Sequence, residues 1–249
     1  MLQIFIILTI LLGLETSSVE LLNITDSDPS LFTQGFESWD DKNLLIGSGL
    51  YGKSDIGLLN IEDGTFESMD QLDNQYFGEG VTITPSGIWQ LTWKSGQAFL
   101  RDSKTFEIIK TVSYETEGWG IAYDEQNDCL WMSDGTSSIY QRDAESFELL
   151  DQFELIDGQG HPVGKINELE WANGNIYANI WYTQTIAVID PQEEKLIKTY
   201  DLSTIIDNLD LTQSQRDHMD VLNGIAHKED NLFYLTGKNY PIIMEVRLN

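Results

Sequence analysis

The sequence predicts an all-β fold: a five-bladed β-propeller built from four-stranded antiparallel blades. Two observations predict it. One plan recurs five times: a break containing Gly or polar residues, a short alternating strand, a turn, a second strand ending in Ser, Thr or Asn, and further short strands. The last repeat stops after its third strand, while the segment that follows the apolar N-terminal run resembles the missing fourth strand.

The first two strands of each repeat decide where a site can lie. The first strands follow breaks at residues 32–35, 77–80, 118–120, 167–169 and 222–224. The second strands end at residues 47–49, 91–93, 133–135, 179–181 and 236–238. The second strand of a blade returns to the rim where the first strand began, so both sets of residues belong to one face of the ring. We therefore expect any site at this rim, around the central channel.

The outer half of each blade is predicted from further short apolar runs. Third strands are expected at residues 56–59, 98–100, 138–140, 186–189 and 243–246, and fourth strands at 65–69, 106–109, 147–150 and 195–198. The fifth repeat ends at Asn249 without a fourth strand, which would leave an unpaired edge. Residues 19–22 resemble the strand at 147–150 and are predicted to close the ring. A leader without structure is equally consistent with so few residues.

Two other segments lie outside this plan. The polar, acidic segment 202–220 has a weak helical period and is predicted to be an insertion before the fifth blade. The apolar run at residues 2–14 is short for a membrane span and fits the core of a signal peptide. We expect a signal peptide over residues 1–18, a single propeller domain over 19–249, and a secreted or periplasmic protein. A signal peptide usually has basic residues before its apolar core, and none precedes this run. An uncleaved N-terminal anchor therefore remains as the weaker alternative.

Composition limits the partners of this chain. There are 41 acidic and 14 basic residues, for a net charge of -27. Such a surface repels phosphates, so neither nucleic acid nor an anionic membrane is expected as a partner. Cys129 is the only cysteine, and the three histidines lack the spacing of metal ligands. We therefore expect no disulfide, no metal and no other cofactor, and we expect a monomer.

Glu79 is the first candidate site residue. It stands between two glycines and beside Phe77, directly before an alternating run, and this is poor strand sequence. A solvated turn glutamate would be the ordinary interpretation. However, the residues at equivalent rim positions differ from repeat to repeat, which favours a site over a structural repeat. They are Gln34, Glu79, Trp119, Asn167 and Asn223 from the first strands, and Trp93, Trp181 and Lys238 from the second strands.

Together these side chains predict a small pocket with aromatic walls and a polar floor. Each one taken alone has a plainer interpretation. The tryptophans could pack between blades, Lys238 could be a solvated turn residue, and Asn167 could be a turn former.

The rim motifs also occur in this order in a known family. They are Phe-Thr-Gln-Gly at 32–35, Gly-Leu-Tyr-Gly-Lys-Ser at 49–54, Phe-Gly-Glu-Gly at 77–80, Leu-Thr-Trp at 91–93, Gly-Trp-Gly at 118–120, Ser-Asp-Gly-Thr at 133–136, Asn-Glu-Leu-Glu at 167–170, Ala-Asn-Ile-Trp at 178–181, Leu-Asn-Gly-Ile-Ala at 222–226 and Thr-Gly-Lys at 236–238. The chain resembles the plant and bacterial type of glutaminyl-peptide cyclotransferase (glutaminyl cyclase), a five-bladed propeller family. No single motif is specific, but the ordered set is.

The resemblance implies conversion of the N-terminal Gln of peptides or proteins to pyroglutamate, with release of ammonia and without a metal. By the same resemblance Glu79 is the general acid/base, and Asn167 and Lys238 hold the substrate amide and its oxyanion. The implied pocket residues are Phe32, Gln34, Phe77, Trp93, Trp119 and Trp181. The chain departs from the family pattern at Gly57, where Arg is usual, and at Tyr240, where Trp is usual.

Two alternative functions belong to other classes. A non-catalytic secreted propeller could bind peptide or carbohydrate ends through the same aromatic rim. A propeller lactonase or hydrolase would need a metal held by several carboxylates in the channel, and Glu168 and Glu170 leave this alternative open.

Overall fold

The computed structural model describes residues 17–249, so the predicted signal peptide lies outside the described residues except for its last two positions. The described chain forms twenty β-strands and two short helices. The strands are β1 Val19–Asp26, β2 Thr33–Ser38, β3 Asn43–Ser48, β4 Asp55–Asn60, β5 Phe66–Gln71, β6 Gly78–Thr84, β7 Gly87–Thr92, β8 Gln97–Arg101, β9 Ile108–Ser113, β10 Ile121–Asp124, β11 Cys129–Ser133, β12 Ser138–Asp143, β13 Leu149–Glu154, β14 Ile166–Ala172, β15 Asn175–Ile180, β16 Thr185–Asp190, β17 Lys195–Asp201, β18 Leu222–Glu229, β19 Leu232–Gly237 and β20 Ile242–Leu248. The helices are α1 Ser203–Asp207 and α2 Gln213–His218.

The strands form five antiparallel sheets of four, which confirms the predicted five-bladed β-propeller. Blades one to four are β2–β5, β6–β9, β10–β13 and β14–β17, each in sequence order from the inside outward. Blade five has the order β18-β19-β20-β1, so its outer strand comes from the N-terminus of the described chain. The five innermost strands pack on one another around the central channel.

Strand β1 closes the ring, as the sequence predicts. It pairs antiparallel with β20 from Val19 opposite Leu248 to Asp26 opposite Ile242, with one irregularity between Leu21 and Asn23. The pairing covers the edge that the third strand of blade five would otherwise expose, and unpaired edges promote aggregation. The N-terminal segment therefore has a structural role in the ring.

The core is divided into five apolar clusters, one at each interface between neighbouring blades. Strand β3 shows how the sequence produces this arrangement. Leu44 and Ile46 belong to the cluster shared with blade five, whereas Leu45 belongs to the cluster shared with blade two. Because successive side chains of a strand point to opposite faces, a continuous apolar run fills the interfaces on both sides of its blade.

The predicted insertion contains the two helices. Helix α2 begins at a capping box in which Thr212 accepts from the backbone of Gln215. The segment is anchored by Leu202, Ile206 and Leu209, which are buried in the cluster between blades four and five. Within residues 17–249, neither helix approaches the length that a membrane crossing requires.

Candidate active site

A pocket of about 550 Å³, part of it open to solvent, lies at the rim where the inner strands begin. The lining residues are Phe32, Gln34, Leu50, Phe77, Glu79, Trp93, Trp119, Asn167, Trp181 and Lys238. The nine site residues that the family resemblance implies are therefore brought together in this pocket, whereas the rim candidate Asn223 is not among the lining residues.

Irregular backbone pairing presents the polar residues to the pocket. The register between the first two strands shifts between Thr33 and Gly35, between Gly78 and Val81, and between Ile166 and Leu169. The skipped residues include Gln34, Glu79 and Asn167. A β-bulge leaves its extra residue unpaired and re-aims the side chain, and bulges recur next to active sites. The poor strand sequence around Glu79 is explained by this bulge within β6.

Glu79 is almost fully buried, with 4% of its surface exposed. Its Oε1 accepts a hydrogen bond of 3.0 Å from Nε2 of Gln34. Oε1 of Gln34 in turn accepts from Nδ2 of Asn223 at 3.3 Å, so Asn223 orients the glutamine instead of lining the pocket. Burial raises the pKa of Glu79 well above its ordinary value, Lys238 opposes this rise, and Glu117 adds to it. A carboxylate with a raised pKa is a stronger base.

Lys238 follows the last residue of β19 and is also buried, with 6% exposed. Its Nζ lies 5.0 Å from the ring centroid of Phe32 and 6.0 Å from that of Trp181, so it faces aromatic surfaces. Burial lowers the pKa of Lys238, while Glu79 and Asp220 raise it. Glu79 and Lys238 therefore each favour the charged state of the other.

Asn167 is 1% exposed, yet neither its Nδ2 nor its Oδ1 has a hydrogen-bond partner among the described residues. Its backbone is held in place, because its carbonyl oxygen accepts from Oγ of Ser133 at 2.7 Å. A buried amide without a partner is unfavourable by about 1–3 kcal/mol, so such a group calls for a functional explanation. Asn167 can offer one donor and one acceptor to a molecule in the pocket.

The walls are aromatic side chains packed edge to face. The ring centroids of Phe77 and Trp93 are 5.4 Å apart, and those of Trp119 and Trp181 are 5.2 Å apart. Phe32 meets Phe77 at 6.2 Å. Mutual packing restricts the rotamers of these rings, so the shape of the cavity is largely formed before a ligand enters.

The structure divides the tryptophans into two groups. Trp89, Trp131 and Trp171 are buried in the clusters between blades, and Trp39 packs against a further cluster, which is the plainer interpretation considered above for the rim tryptophans. Trp93, Trp119 and Trp181 line the pocket instead. All three pocket tryptophans lie at the start of a first strand or the end of a second strand, where the repeat places the rim.

Two residues of the site were not singled out from the sequence. Leu50 lines the pocket with a positive φ of 85°, which is rare for a residue other than Gly. It lies within the Gly-Leu-Tyr-Gly-Lys-Ser motif at 49–54, and this motif could have indicated that Leu50 belongs to the site. Glu117 accepts hydrogen bonds from the indoles of Trp93 and Trp119, and only its position beside Gly118 could have indicated it.

The two glutamates that kept the metallohydrolase alternative open, Glu168 and Glu170, do not line the pocket. Both oxygens of Glu168 accept from backbone N–H groups, at Phe36 and Ile225, and Glu170 accepts from the N–H of His227. Among residues 17–249, no group of three or more His, Cys, Asp or Glu side chains is arranged to hold a metal ion.

The two departures from the family pattern also lie away from the pocket lining. A Cβ atom on Gly57 would approach the carbonyl oxygen of Glu67 to 2.2 Å, so this part of blade one is packed for glycine. Tyr240 is 3% exposed and belongs to the cluster between blades four and five. Both departures therefore concern packing.

Comparison with known proteins shows the family of the chain. A family model described as glutamine cyclotransferase matches residues 11–248. The chain is 32% identical over 234 residues to the glutaminyl-peptide cyclotransferase of Arabidopsis thaliana, covering 93% of this chain and 72% of that protein.

Solved structures give the same result. The structure of Myxococcus xanthus glutaminyl cyclase matches with a TM-score of 0.80 at 28% identity, over 94% of this chain and 97% of that one. A protein of unknown function from Bacteroides thetaiotaomicron matches with a TM-score of 0.56 at 10% identity, over 94% of this chain and 76% of that one, and shares the fold alone. The resemblance predicted from the rim motifs is confirmed, and the chain belongs to the glutamine cyclotransferase family.

Proposed function

We propose that this protein is a glutaminyl-peptide cyclotransferase that converts the N-terminal Gln of peptides or proteins to pyroglutamate and releases ammonia. One observation carries the proposal: a buried carboxylate, an ammonium and an unpaired carboxamide share one pocket with aromatic walls. The named activities of the Arabidopsis and Myxococcus relatives support it.

Glu79 moves the protons. The substrate α-amine must be neutral to attack, and an α-ammonium has a pKa of roughly 7.7–8.0. Glu79, whose pKa is raised by burial, accepts this proton. The amine nitrogen then forms a bond to the side-chain amide carbon of the same residue. When the bond from that carbon to the amide nitrogen breaks, Glu79 gives the proton to the departing ammonia. It then takes the excess proton from the ring nitrogen and loses it to solvent, which restores the carboxylate.

Lys238 and Asn167 stabilise the intermediate. Attack on the amide converts its carbonyl oxygen to an oxyanion, which the ammonium of Lys238 and the Nδ2 of Asn167 can meet as donors. Both groups are buried, and electrostatic interactions are stronger where water is excluded. Oδ1 of Asn167 is left to accept from an N–H of the substrate.

The aromatic walls favour ring closure. The reaction is intramolecular, so holding the substrate in a folded pose removes much of the entropic barrier. Phe77, Trp93 and Trp119 surround the carboxylate and can pack against the folded side chain. Their faces also attract the ammonium group before it is deprotonated.

The test is direct. The purified protein is incubated with Gln-Ala and Gln-Phe peptides, and mass spectrometry measures the loss of one ammonia. N-acetylated Gln-Ala, which has no free amine, is the control and should not react. Retention of unchanged peptide in a binding assay, without turnover, would favour the non-catalytic binding module.

We also propose that the reaction needs no metal, since acid/base and oxyanion roles are filled by side chains. Turnover should persist after incubation with EDTA and dialysis. Loss of turnover that zinc or calcium restores would favour a metal-dependent enzyme. Secretion through the predicted signal peptide is proposed as well, and N-terminal sequencing of the exported protein would test cleavage near Ser18.

A further inference from the structure

Glu117 connects two walls of the pocket that belong to different blades. Trp93 directly follows β7 in blade two, and Trp119 precedes β10 in blade three. The same carboxylate oxygen, Oε2 of Glu117, accepts from Nε1 of Trp93 at 2.8 Å and from Nε1 of Trp119 at 3.0 Å. A single side chain therefore links two pocket walls.

Apart from this carboxylate and the ammonium of Lys94, which lies over Trp93, the two indoles are held by packing against other aromatic rings. Trp119 packs edge to face on Trp181, and Trp93 does so on Phe77. Such contacts allow a ring to slide, whereas hydrogen bonds to an ionised acceptor are short and directional. The second oxygen of Glu117, Oε1, lies 3.7 Å from Nζ of Lys94, which also stands 4.0 Å from the ring centroid of Trp93.

We infer that Glu117 is a positioning residue for the proposed cyclisation, holding Trp93 and Trp119 at the separation in which the folded glutaminyl side chain fits. The inference rests on the proposed function for its effect on turnover. The bridge between the two indoles can be tested without it.

Glu117 also acts on Glu79 through its charge. It raises the pKa of Glu79, in addition to the larger effect of burial and against the effect of Lys238. Besides the pKa of Lys238, Glu79 raises the pKa of the Tyr114 hydroxyl. The bridge and the charge can be separated by substitution, because a glutamine carbonyl oxygen has two lone pairs and can accept from both indoles without a negative charge.

Three variants form the test: Glu117→Ala, Glu117→Gln and, as a control, Glu115→Ala, which removes an exposed carboxylate two residues away. Glu117→Ala should raise KM for Gln-Ala about tenfold, the loss expected from roughly one hydrogen bond to a charged group. Glu117→Gln should retain a KM near that of the wild type, while its acidic limb of kcat/KM moves to lower pH. Glu115→Ala should match the wild type in KM.

Near-ultraviolet circular dichroism and tryptophan fluorescence provide a readout that needs no substrate. Both signals should change in Glu117→Ala and stay close to the wild type in Glu117→Gln and Glu115→Ala. Wild-type spectra and KM in Glu117→Ala would overturn the inference, and so would a Gln variant as impaired in KM as the Ala variant. If the wild type has no cyclase activity, the proposed function fails, while the spectra still decide whether Glu117 holds the two indoles.

Discussion

The ring of inner strands contains carboxylates in two contrasting settings. At the rim, Glu79 accepts one hydrogen bond, from the side chain of Gln34. Further along the inner strands, Glu37, Glu168 and Glu170, here called the channel carboxylates, accept from backbone N–H groups of other blades. Burial raises the pKa of all four. A raised pKa therefore does not separate the two settings, but the partners do.

The difference concerns what the lone pairs are used for. The channel carboxylates join blades: Glu37 of blade one accepts from Ile83 of blade two, and Glu168 of blade four accepts from Phe36 and Ile225. Glu79 retains acceptor capacity toward the pocket, beside Lys238 and the unpaired amide of Asn167. We interpret the channel carboxylates as structural and Glu79 as functional, since reactive groups need capacity that the fold has not already used.

The largest effect that sharpens this comparison is expected at Asn167. Asn167→Leu removes the proposed oxyanion donor and should lower kcat by about 10²- to 10³-fold. Stability should be unchanged or higher, because the substitution removes buried polar atoms that have no partner among the described residues. Kinetics on Gln-Ala and a thermal melt provide the measurement.

Asn179→Leu is the matched control for this substitution. Asn179 is equally buried, but its Oδ1 accepts from the N–H of Gly224 at 2.8 Å. Its loss should destabilise the fold by about 1–3 kcal/mol, because that N–H is left without a partner. A stability loss in Asn167→Leu as large as in Asn179→Leu would assign Asn167 to the structural group.

The pH dependence of turnover comes next in size. Glu79 must be ionised to accept a proton, so kcat/KM should rise about tenfold per pH unit until its raised pKa is passed. At alkaline pH the rate should fall as Lys238 loses its proton, and it should do so earlier than an ordinary lysine, because burial lowers its pKa. A peptide whose amine pKa is known allows the ionisation of the substrate to be subtracted. A flat profile between about pH 5 and pH 8 would contradict these roles.

A smaller loss of kcat/KM, about tenfold, is expected when the wall is disturbed by Gly135→Ala. A Cβ at Gly135 would lie 2.5 Å from two ring atoms of Trp119, so the indole must move. Gly174→Ala is the control, since Gly174 has a similar φ of 75° but nothing within 4 Å of a Cβ. Both variants should lose similar stability through backbone strain. Equal kcat/KM in the two would show that the position of Trp119 does not matter.

The smallest effect is expected on the pH dependence of stability, to which the channel carboxylate Glu37 contributes. Burial raises the pKa of Glu37 to about 8, so the folded state holds a proton that the unfolded state loses above its ordinary pKa of 4.5. Between these values the folded state binds more protons, and the free energy of unfolding should therefore fall as pH rises. Glu37→Gln should flatten this slope by up to about 1.4 kcal/mol per pH unit.

Glu67→Gln is the control for this measurement, because Glu67 is exposed and the same chemical change is made away from the channel. Melting curves at several pH values between about 5 and 8 measure the slopes. Identical slopes in Glu37→Gln and Glu67→Gln would show that Glu37 does not contribute to the pH dependence of stability.

Much of the fold could be predicted because its determinants are local. Alternating strands at regular intervals reveal a propeller, and the strand-like residues 19–22 reveal how the ring closes. The pocket could be predicted because the repeat assigns Glu79, Asn167 and Lys238 to one rim. Glu117 could not, because it acts through hydrogen bonds to two indoles whose arrangement depends on how two blades pack. The blade-joining role of Glu168 could not be predicted for the same reason, since its hydrogen-bond partners lie 57 and 132 residues away in sequence.

The most direct test compares Glu79→Gln with Glu168→Gln, in one assay of kcat on Gln-peptides and one thermal melt. Glu79→Gln keeps shape but cannot carry a proton, so kcat should fall by about 10²- to 10⁴-fold with little change in Tm. Glu168→Gln replaces an acceptor of a backbone N–H by a donor, so Tm should fall while kcat of the folded protein is retained. The opposite pattern, or a folded Glu79→Gln variant that keeps more than about a tenth of wild-type kcat, would contradict the division between the two settings.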